Sequence, residues 1–187
     1  MERKQEMRRE SRLSVTDVCY IAIMAAVTAV LAQIAIPMPM GVPMTMQTFA
    51  VTLCGILLGS RKGAVSMVIY LLIGTAGVPV FSAFTGGVQC LVGPTGGFLV
   101  SFPVMAYLIG LGVEWKKKGA FLIFLLLGTA FNYVAGVLFF VVTMDSTVWA
   151  ALTACVLPFL PTAVLKAVLA SIFGLQLRKR LQPFLLH

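Results

Sequence analysis

Charged side chains are scarce in this sequence. Only 11% of its 187 residues are Asp, Glu, Lys or Arg, against about 25% in an ordinary soluble domain. The acidic sign is the rarer, with six carboxylates against fourteen basic groups, and no carboxylate falls inside a predicted span. Histidine occurs once, at His187, so histidine-based metal or acid–base chemistry is not expected and no cofactor is implied. Cys19, Cys54, Cys90 and Cys155 are scattered without a CxxC pair and read as small apolar core residues. Neither GxxxxGK[ST] nor GxGxxG occurs, so the chain has no recognisable phosphate cradle and does not energise anything from ATP by itself. No cleavage pattern follows the first apolar run, so a cleavable signal peptide is not expected.

What fills the chain instead is apolar sequence, 60% hydrophobic residues arranged in long runs. The class is an all-α integral membrane protein, a single transmembrane domain over 1–187. Six spans are expected. The first is capped by Thr16 or Asp17 and continues to about Ile36. The second, Thr48 to Leu58, and the third, Ala64 to Gly77, are short and flank Gly59-Ser60-Arg61-Lys62-Gly63. The fourth covers Phe98 to Val113, the fifth Ala120 to Thr143, and the sixth about Val148 to Leu177. Residues 1–14 form a polar basic lead and 178–187 a basic, amphipathic tail. A helix needs about 20 apolar residues to cross the hydrocarbon core, so the short spans imply tilt or burial among other helices.

Six spans put both termini on one side. The lead carries five basic residues, the 59–63 connection two, the Glu114–Lys118 connection three, and the tail three. All thirteen lie on one face, which the basic-residue asymmetry of membrane proteins identifies as cytoplasmic. The distribution explains the net charge of +8 without any nucleic acid. Two Pro- and Gly-rich segments, Pro37 to Gln47 and Val78 to Gly97, then share the outer face. The three prolines and the glycine of the first preclude a regular helix, the glycines of the second permit backbone conformations closed to other residues, and both segments remain apolar. The first reads as lying at the membrane surface or packed into the protein, and the second as an ordinary outer loop or a folded, partly inserted lid, because non-helical backbone at membrane depth needs protein or a water-filled cavity around it.

The fourteenth basic residue is Lys166, deep in the last span. An ammonium there costs roughly 2.5–3.5 kcal/mol on insertion scales. Upstream, Pro158 and Pro161 break or kink the helix. A lone cation beside a broken helix suits an anionic ligand; a snorkelling side chain is the other reading. Asn132 and Tyr133 in the fifth span either join helices or face a cavity. Ala22, Ala25, Ala26 and Ala29 give overlapping small-xxx-small pairs, a face on which another helix can approach closely, although alanine is also a common filler of membrane helices.

Several stretches together resemble the BioY family, the biotin-specific substrate-capture subunits of energy-coupling-factor (ECF) transporters. They are Pro43-Met44-Thr45-Met46-Gln47-Thr48-Phe49-Ala50, Leu58-Gly59 with its basic pair, Gly77-Val78-Pro79-Val80-Phe81, Gly93-Pro94-Thr95-Gly96-Gly97-Phe98, and Leu157-Pro158-Phe159-Leu160-Pro161 with Lys166. The resemblance runs from about Cys19 to Leu177. It implies an S-component-like bundle whose outer loops cap a substrate pocket, biotin as transported substrate, and a multi-pass protein of the cytoplasmic membrane. It also implies partners, a coupling membrane subunit and two ATP-binding cassette ATPases. Ala22 and Ala26 match the family's AxxxA signature for docking on the coupling subunit. An uptake subunit for another vitamin, and an intramembrane enzyme, are the alternatives; no nucleophile–base pair at membrane depth supports the enzyme.

The chain departs from the family pattern where Thr162 and Ala163 replace the usual Gly and Asp. That substitution leaves Lys166 without its usual ion-pair partner, and either makes a ligand carboxylate the more important counter-ion or lets Lys166 be neutral when empty; the carboxylate is its expected partner in biotin, the ureido oxygen the alternative. Thr85 stands where some members carry asparagine. A biotin site needs apolar and aromatic walls, a few amide or hydroxyl partners, and one cation. Phe98, Tyr133, Asn132, Gln47, Thr85 and Lys166 are the residues expected to supply them, with the Gly86-Gly87 backbone and Gln47 toward the polar head.

Overall fold

Each apolar run becomes a helix, and the computed structural model describes residues 14–38, 41–115, 117 and 119–185. The helices are α1 (Val15–Ala32), α2 (Gln47–Thr75), the short α3 (Gln89–Val92), α4 (Gly96–Glu114), α5 (Ala120–Thr143), α6 (Val148–Cys155) and α7 (Leu160–Leu185). Two-residue strands β1 (Ala35–Ile36) and β2 (Met44–Thr45) pair antiparallel between α1 and α2. Five of the helices, α1, α2, α4, α5 and α7, are long and apolar enough to cross a membrane. Most of the basic lead lies outside the described residues.

The first span is shorter than expected and is capped differently. Ser14, not Thr16 or Asp17, is the N-cap. Its hydroxyl accepts from the Asp17 amide while the Asp17 carboxylate accepts from the Ser14 amide, a reciprocal pair that satisfies two orphan donors. The helix ends at Ala32, ahead of Pro37. Ile36 pairs with Met44 in the β-ribbon instead of extending the helix. So the described residues of the first Pro-rich segment ahead of Gln47 contribute to a two-residue ribbon and form no α-helix.

The second and third expected spans are continuous in chain but folded back on each other. Gly59, at φ 79° and ψ −173°, takes a conformation essentially closed to residues with a Cβ. Across the bend, Gln47 Nε2 reaches Tyr70 OH at 2.7 Å. In a straight helix residues that far apart in sequence would be separated by about 35 Å. Cys54 Sγ likewise lies 3.7 Å from the Gly63 carbonyl. The two halves are therefore antiparallel neighbours. Glu114, ending α4, secures the bend by accepting from the Ser60 amide at 2.8 Å and the Ser60 hydroxyl at 2.7 Å.

The last expected span is interrupted. α6 stops at Cys155, Val156–Phe159 turn, and α7 begins at Leu160 with Pro161 in its first turn, where a missing N–H costs no intrahelical bond. α7 then runs unbroken to Leu185. Its Arg178 donates to the Ile56 carbonyl, one of the acceptors freed where α2 bends. Asp17 and Lys62 form an ion pair between α1 and α2. The start of α1, the bend of α2, the end of α4 and Arg178 thus gather at one end of the bundle.

α2 packs against α1, α4 and α7, and α4 against α5. One core cluster joins Met24, Cys54, Met67, Tyr70, Phe81, Phe102 and Ile109. A second joins Val42, Val137, Phe140, Ala151, Cys155 and Phe159. The opposite faces carry exposed Leu122, Leu126, Val134 and Leu138 on α5 and Val164, Val168 and Ile172 on α7, the surface expected of helices solvated by lipid chains.

A side chain at position 59 would begin 2.2 Å from Glu114 Oε1. Gly59→Ala is therefore expected to cost about 1–3 kcal/mol from backbone conformation alone, read as a lower melting temperature in detergent. An unchanged melting temperature would mean that the bend does not depend on glycine.

Candidate functional site

Between the two core clusters, at the end of the bundle away from Arg178, lies a cavity of about 650 Å³ including its open mouth. Small-molecule sites commonly occupy about 300–1,000 Å³. Its walls come from the β-ribbon, the start of α2, the loop after α2, α4, α5 and the α6–α7 break. Six of the residues expected from sequence line it: Gln47, Thr85, Phe98, Asn132, Tyr133 and Lys166. The structure brings these together from five separate parts of the chain.

Lys166 enters from α7, just after the break. Its Nζ donates to the Thr45 carbonyl of β2 at 2.9 Å, leaving two of its three N–H donors for other partners. The side chain is half-buried, and its ammonium is tied to the β-ribbon. Among the described residues the carboxylates are Asp17, Glu114 and Asp145, and none of them lines the cavity.

Asn132 does both things considered for it. It is 1% exposed, and its Nδ2 donates to the Phe98 carbonyl at 3.0 Å and the Ser101 hydroxyl at 2.6 Å, which joins α5 to α4. It also faces the cavity. Gln47 is buried at the first turn of α2. Its Oε1 accepts from the Thr45 hydroxyl at 2.9 Å, and Nε2 donates to Tyr70 OH, which in turn donates to the Val80 carbonyl at 2.9 Å. Gln47 is thus a strut between the β-ribbon and the outer loop as well as a wall residue. Phe98 and Tyr133 meet edge to face, 6.3 Å between centroids, and with Phe102 supply the aromatic wall.

The two outer segments reach the cavity by different parts. From the first come Val42, Pro43 and Thr45; from the second, Phe81, Ser82, Thr85, Cys90 and Thr95. Gly86 and Gly87 do not line it. Gly87 N donates to the Gly74 carbonyl at 2.7 Å, and a Cβ on Gly86 would meet the Val78 carbonyl at 2.4 Å. The pair fastens the loop to the end of α2, a packing role that a glycine pair in a loop does not disclose in sequence. The Thr85 hydroxyl donates to the Ser82 carbonyl at 2.8 Å.

Sequence reasoning missed Gln33. Its Nε2 donates to the Phe81 carbonyl at 3.1 Å and its Oε1 accepts from the Phe84 amide at 2.8 Å. Both ends of one amide therefore hold a tight turn in which Ala83 and Phe84 have φ near +55°, a region costly for a bulky residue. Phe81, 1% exposed, packs edge to face on Tyr70 at 5.5 Å. A polar amide at the end of an apolar run was the available signal. Thr45 was missed for another reason: it acts through its carbonyl, which no side-chain pattern reports.

The four alanines of α1 divide between two faces. Ala25 is 4% exposed and belongs to the first core cluster, with Ala29 packed against it. Ala22 and Ala26 are exposed on the outside of the bundle, one helical turn apart.

Comparison with known proteins fits this geometry. A BioY family model matches residues 4–183. The chain is 40% identical over 166 residues to the "Biotin transporter BioY2" of Lactococcus lactis subsp. cremoris, covering 86% of this chain and 89% of the relative. It is 38% identical over 148 residues to the "Biotin transporter BioY" of Thermotoga maritima, covering 77% and 86%. The fold matches a crystal structure described as the S-component for biotin from an ECF-type ABC transporter. That match has TM-score 0.79 and 27% identity, over 88% of this chain and 92% of the other. With a family model spanning nearly its whole length, this chain belongs to the BioY family.

Proposed function

We propose that this protein captures biotin at the outer face of the cytoplasmic membrane, as the substrate-specific subunit of an ECF-type transporter. The observation that carries the reading is a cavity with aromatic walls and one ammonium, Lys166, with no carboxylate along its lining. Biotin has a matching inventory: an apolar bicycle with a ureido head, an aliphatic tail and one carboxylate. Lys166 neutralises the carboxylate. Phe98, Phe102 and Tyr133 contact the bicycle, and Gln47, Asn132 and Thr85 offer amide and hydroxyl partners to polar atoms. Gly86 and Gly87 act through the loop they anchor. The family membership and the named functions of the relatives support this assignment.

The bend at Gly59 lets α2 cross twice, so six crossings result from five long helices. Both termini are then cytoplasmic, with Lys62, Lys117 and Arg178–Arg180 on that side, and the β-ribbon and the loop after α2 close over the ligand from outside. Ala22 and Ala26 form the face that meets the coupling membrane subunit, whose two ATPases supply the energy this chain has no motif to harvest. Ala25 and Ala29 belong to the subunit's own packing.

Truncating one partner of a buried charge pair typically costs 2–5 kcal/mol. With water reaching the open cavity we expect about 2–3 kcal/mol, roughly 30- to 150-fold in affinity. Lys166→Met is expected to weaken biotin binding by that factor in equilibrium titration of the purified protein, and to weaken binding of a biotin amide far less. Equal losses for acid and amide would separate Lys166 from the carboxylate. Ala26→Leu is expected to leave biotin binding intact while uptake into cells falls; a matched loss of binding and uptake would make this face internal. A single cysteine at Asp145, on the exposed α5–α6 turn, is expected to react with an impermeant reagent in whole cells. Reaction only after permeabilisation would reverse the orientation.

A further inference from the structure

Tyr70 takes no part in the cavity wall, yet it holds a residue that does. It lies 1% exposed in the second half of α2, its ring packed edge to face on Phe81 at 5.5 Å. A phenol has one proton to donate and lone pairs with which to accept. The proton goes to the Val80 carbonyl at 2.9 Å. Toward Gln47 the oxygen can therefore only accept, and it accepts from Nε2 at 2.7 Å. The other end of the amide is fixed in the same way. The Thr45 hydroxyl accepts from the Gln47 backbone N–H at 3.3 Å and donates its own proton to Oε1 at 2.9 Å. Turning the amide over would set Nε2 against Thr45 and Oε1 against Tyr70. The Thr45 proton would lose its acceptor. Tyr70 could reach Oε1 only by releasing the Val80 carbonyl, which no other donor among the described residues meets. Both losses are costly away from water. Gln47 is itself 6% exposed and lines the cavity. Beyond these bonds its amide keeps one N–H and one lone pair.

We infer that Tyr70 is a positioning residue for ligand selection. It acts through Gln47, holding the amide in one direction so that its remaining donor and acceptor keep set places at the cavity wall. A ligand head with the complementary pattern, such as a cyclic urea, pairs with both. A head with an acceptor replaced by a donor leaves a polar group unpaired and is disfavoured. Thr45 fixes the other end through its hydroxyl, while its carbonyl holds Lys166. This rests on the reading that Gln47 meets the polar head of the ligand.

The test is equilibrium titration of purified full-length variants with biotin, a biotin amide and iminobiotin, in which nitrogen replaces the ureido oxygen. Tyr70→Phe keeps the ring against Phe81 and removes only the hydroxyl. It is expected to weaken biotin and its amide alike, roughly 3- to 10-fold, the equivalent of one hydrogen bond. The preference for biotin over iminobiotin is expected to shrink by a similar factor. Thr45→Val, which keeps the carbonyl for Lys166, is expected to do the same, and Thr45→Ser to restore both values. In a Gln47→Leu background neither Tyr70→Phe nor Thr45→Val is expected to change affinity further. A loss from Tyr70→Phe that persists there means that Tyr70 acts through Val80 and the outer loop, and overturns the inference. So does an unchanged preference over iminobiotin. In ligand-free protein labelled at glutamine nitrogen, the Gln47 side-chain amide is expected to exchange its hydrogens faster in Tyr70→Phe, a readout independent of biotin. Equal exchange overturns the inference while leaving the biotin reading intact. Faster exchange in a protein that binds no biotin keeps the fixed amide and overturns the biotin reading.

Discussion

Every polar group at membrane depth needs a partner from the protein, because lipid offers none, and an unsatisfied one costs several kcal/mol. That constraint accounts for most of the contacts outside the helices. The Gln33 amide holds the turn at Phe81 and Phe84 from both ends. Gln47 links Thr45 to Tyr70, and Tyr70 passes the connection to Val80. Asn132 joins α5 to α4. Glu114 and Arg178 take up the donors and an acceptor freed at the Gly59 bend. Apart from Asn132, which joins two helices, each link ties an irregular stretch to a helix, so the outer segments stay folded with little regular structure of their own beyond the two-residue ribbon and the short α3.

The cavity follows from the same constraint. The β-ribbon and the loop after α2 cannot pack as densely as helices, and the chain breaks again at Val156–Phe159. Where these three interruptions meet, a space remains. Interrupted backbone leaves carbonyl and N–H groups to be satisfied there, and side chains such as Gln47, Asn132 and Thr85 add amides and hydroxyls to the wall. The bond from Lys166 to the Thr45 carbonyl joins two of the interruptions directly. On the proposed function, a ligand carboxylate that draws on that ammonium would change how the β-ribbon is tied to α7.

The division of α1 into two faces leaves small side chains both inside the core and outside the bundle. Ala25 is sealed in the core and Ala22 and Ala26 are not. Residues facing the membrane can then serve a partner helix without disturbing the walls of the cavity, which α1 does not line. Small side chains are what allow close approach of helices in lipid, where there is no hydrophobic gain from association.

Class and most span positions were legible from residue type alone, because solvation in lipid is a property of each residue summed along a run. The α5 range, Ala120–Thr143, emerges from the sequence to the residue, since Gly119 and the basic stretch before it, and Asp145 after it, mark both ends. Six of the eight proposed substrate-site residues line one cavity because ionisable, amide and aromatic groups stand out against an apolar background. Composition does not reveal direction. Only packing of the folded chain distinguishes Ala25 from Ala22, puts Gly86 and Gly87 behind the loop instead of at the cavity, and finds for Lys166 the carbonyl of a residue 121 positions away. Those outcomes depend on where backbone groups lie in three dimensions, and the order of side chains along the chain carries no direct record of them.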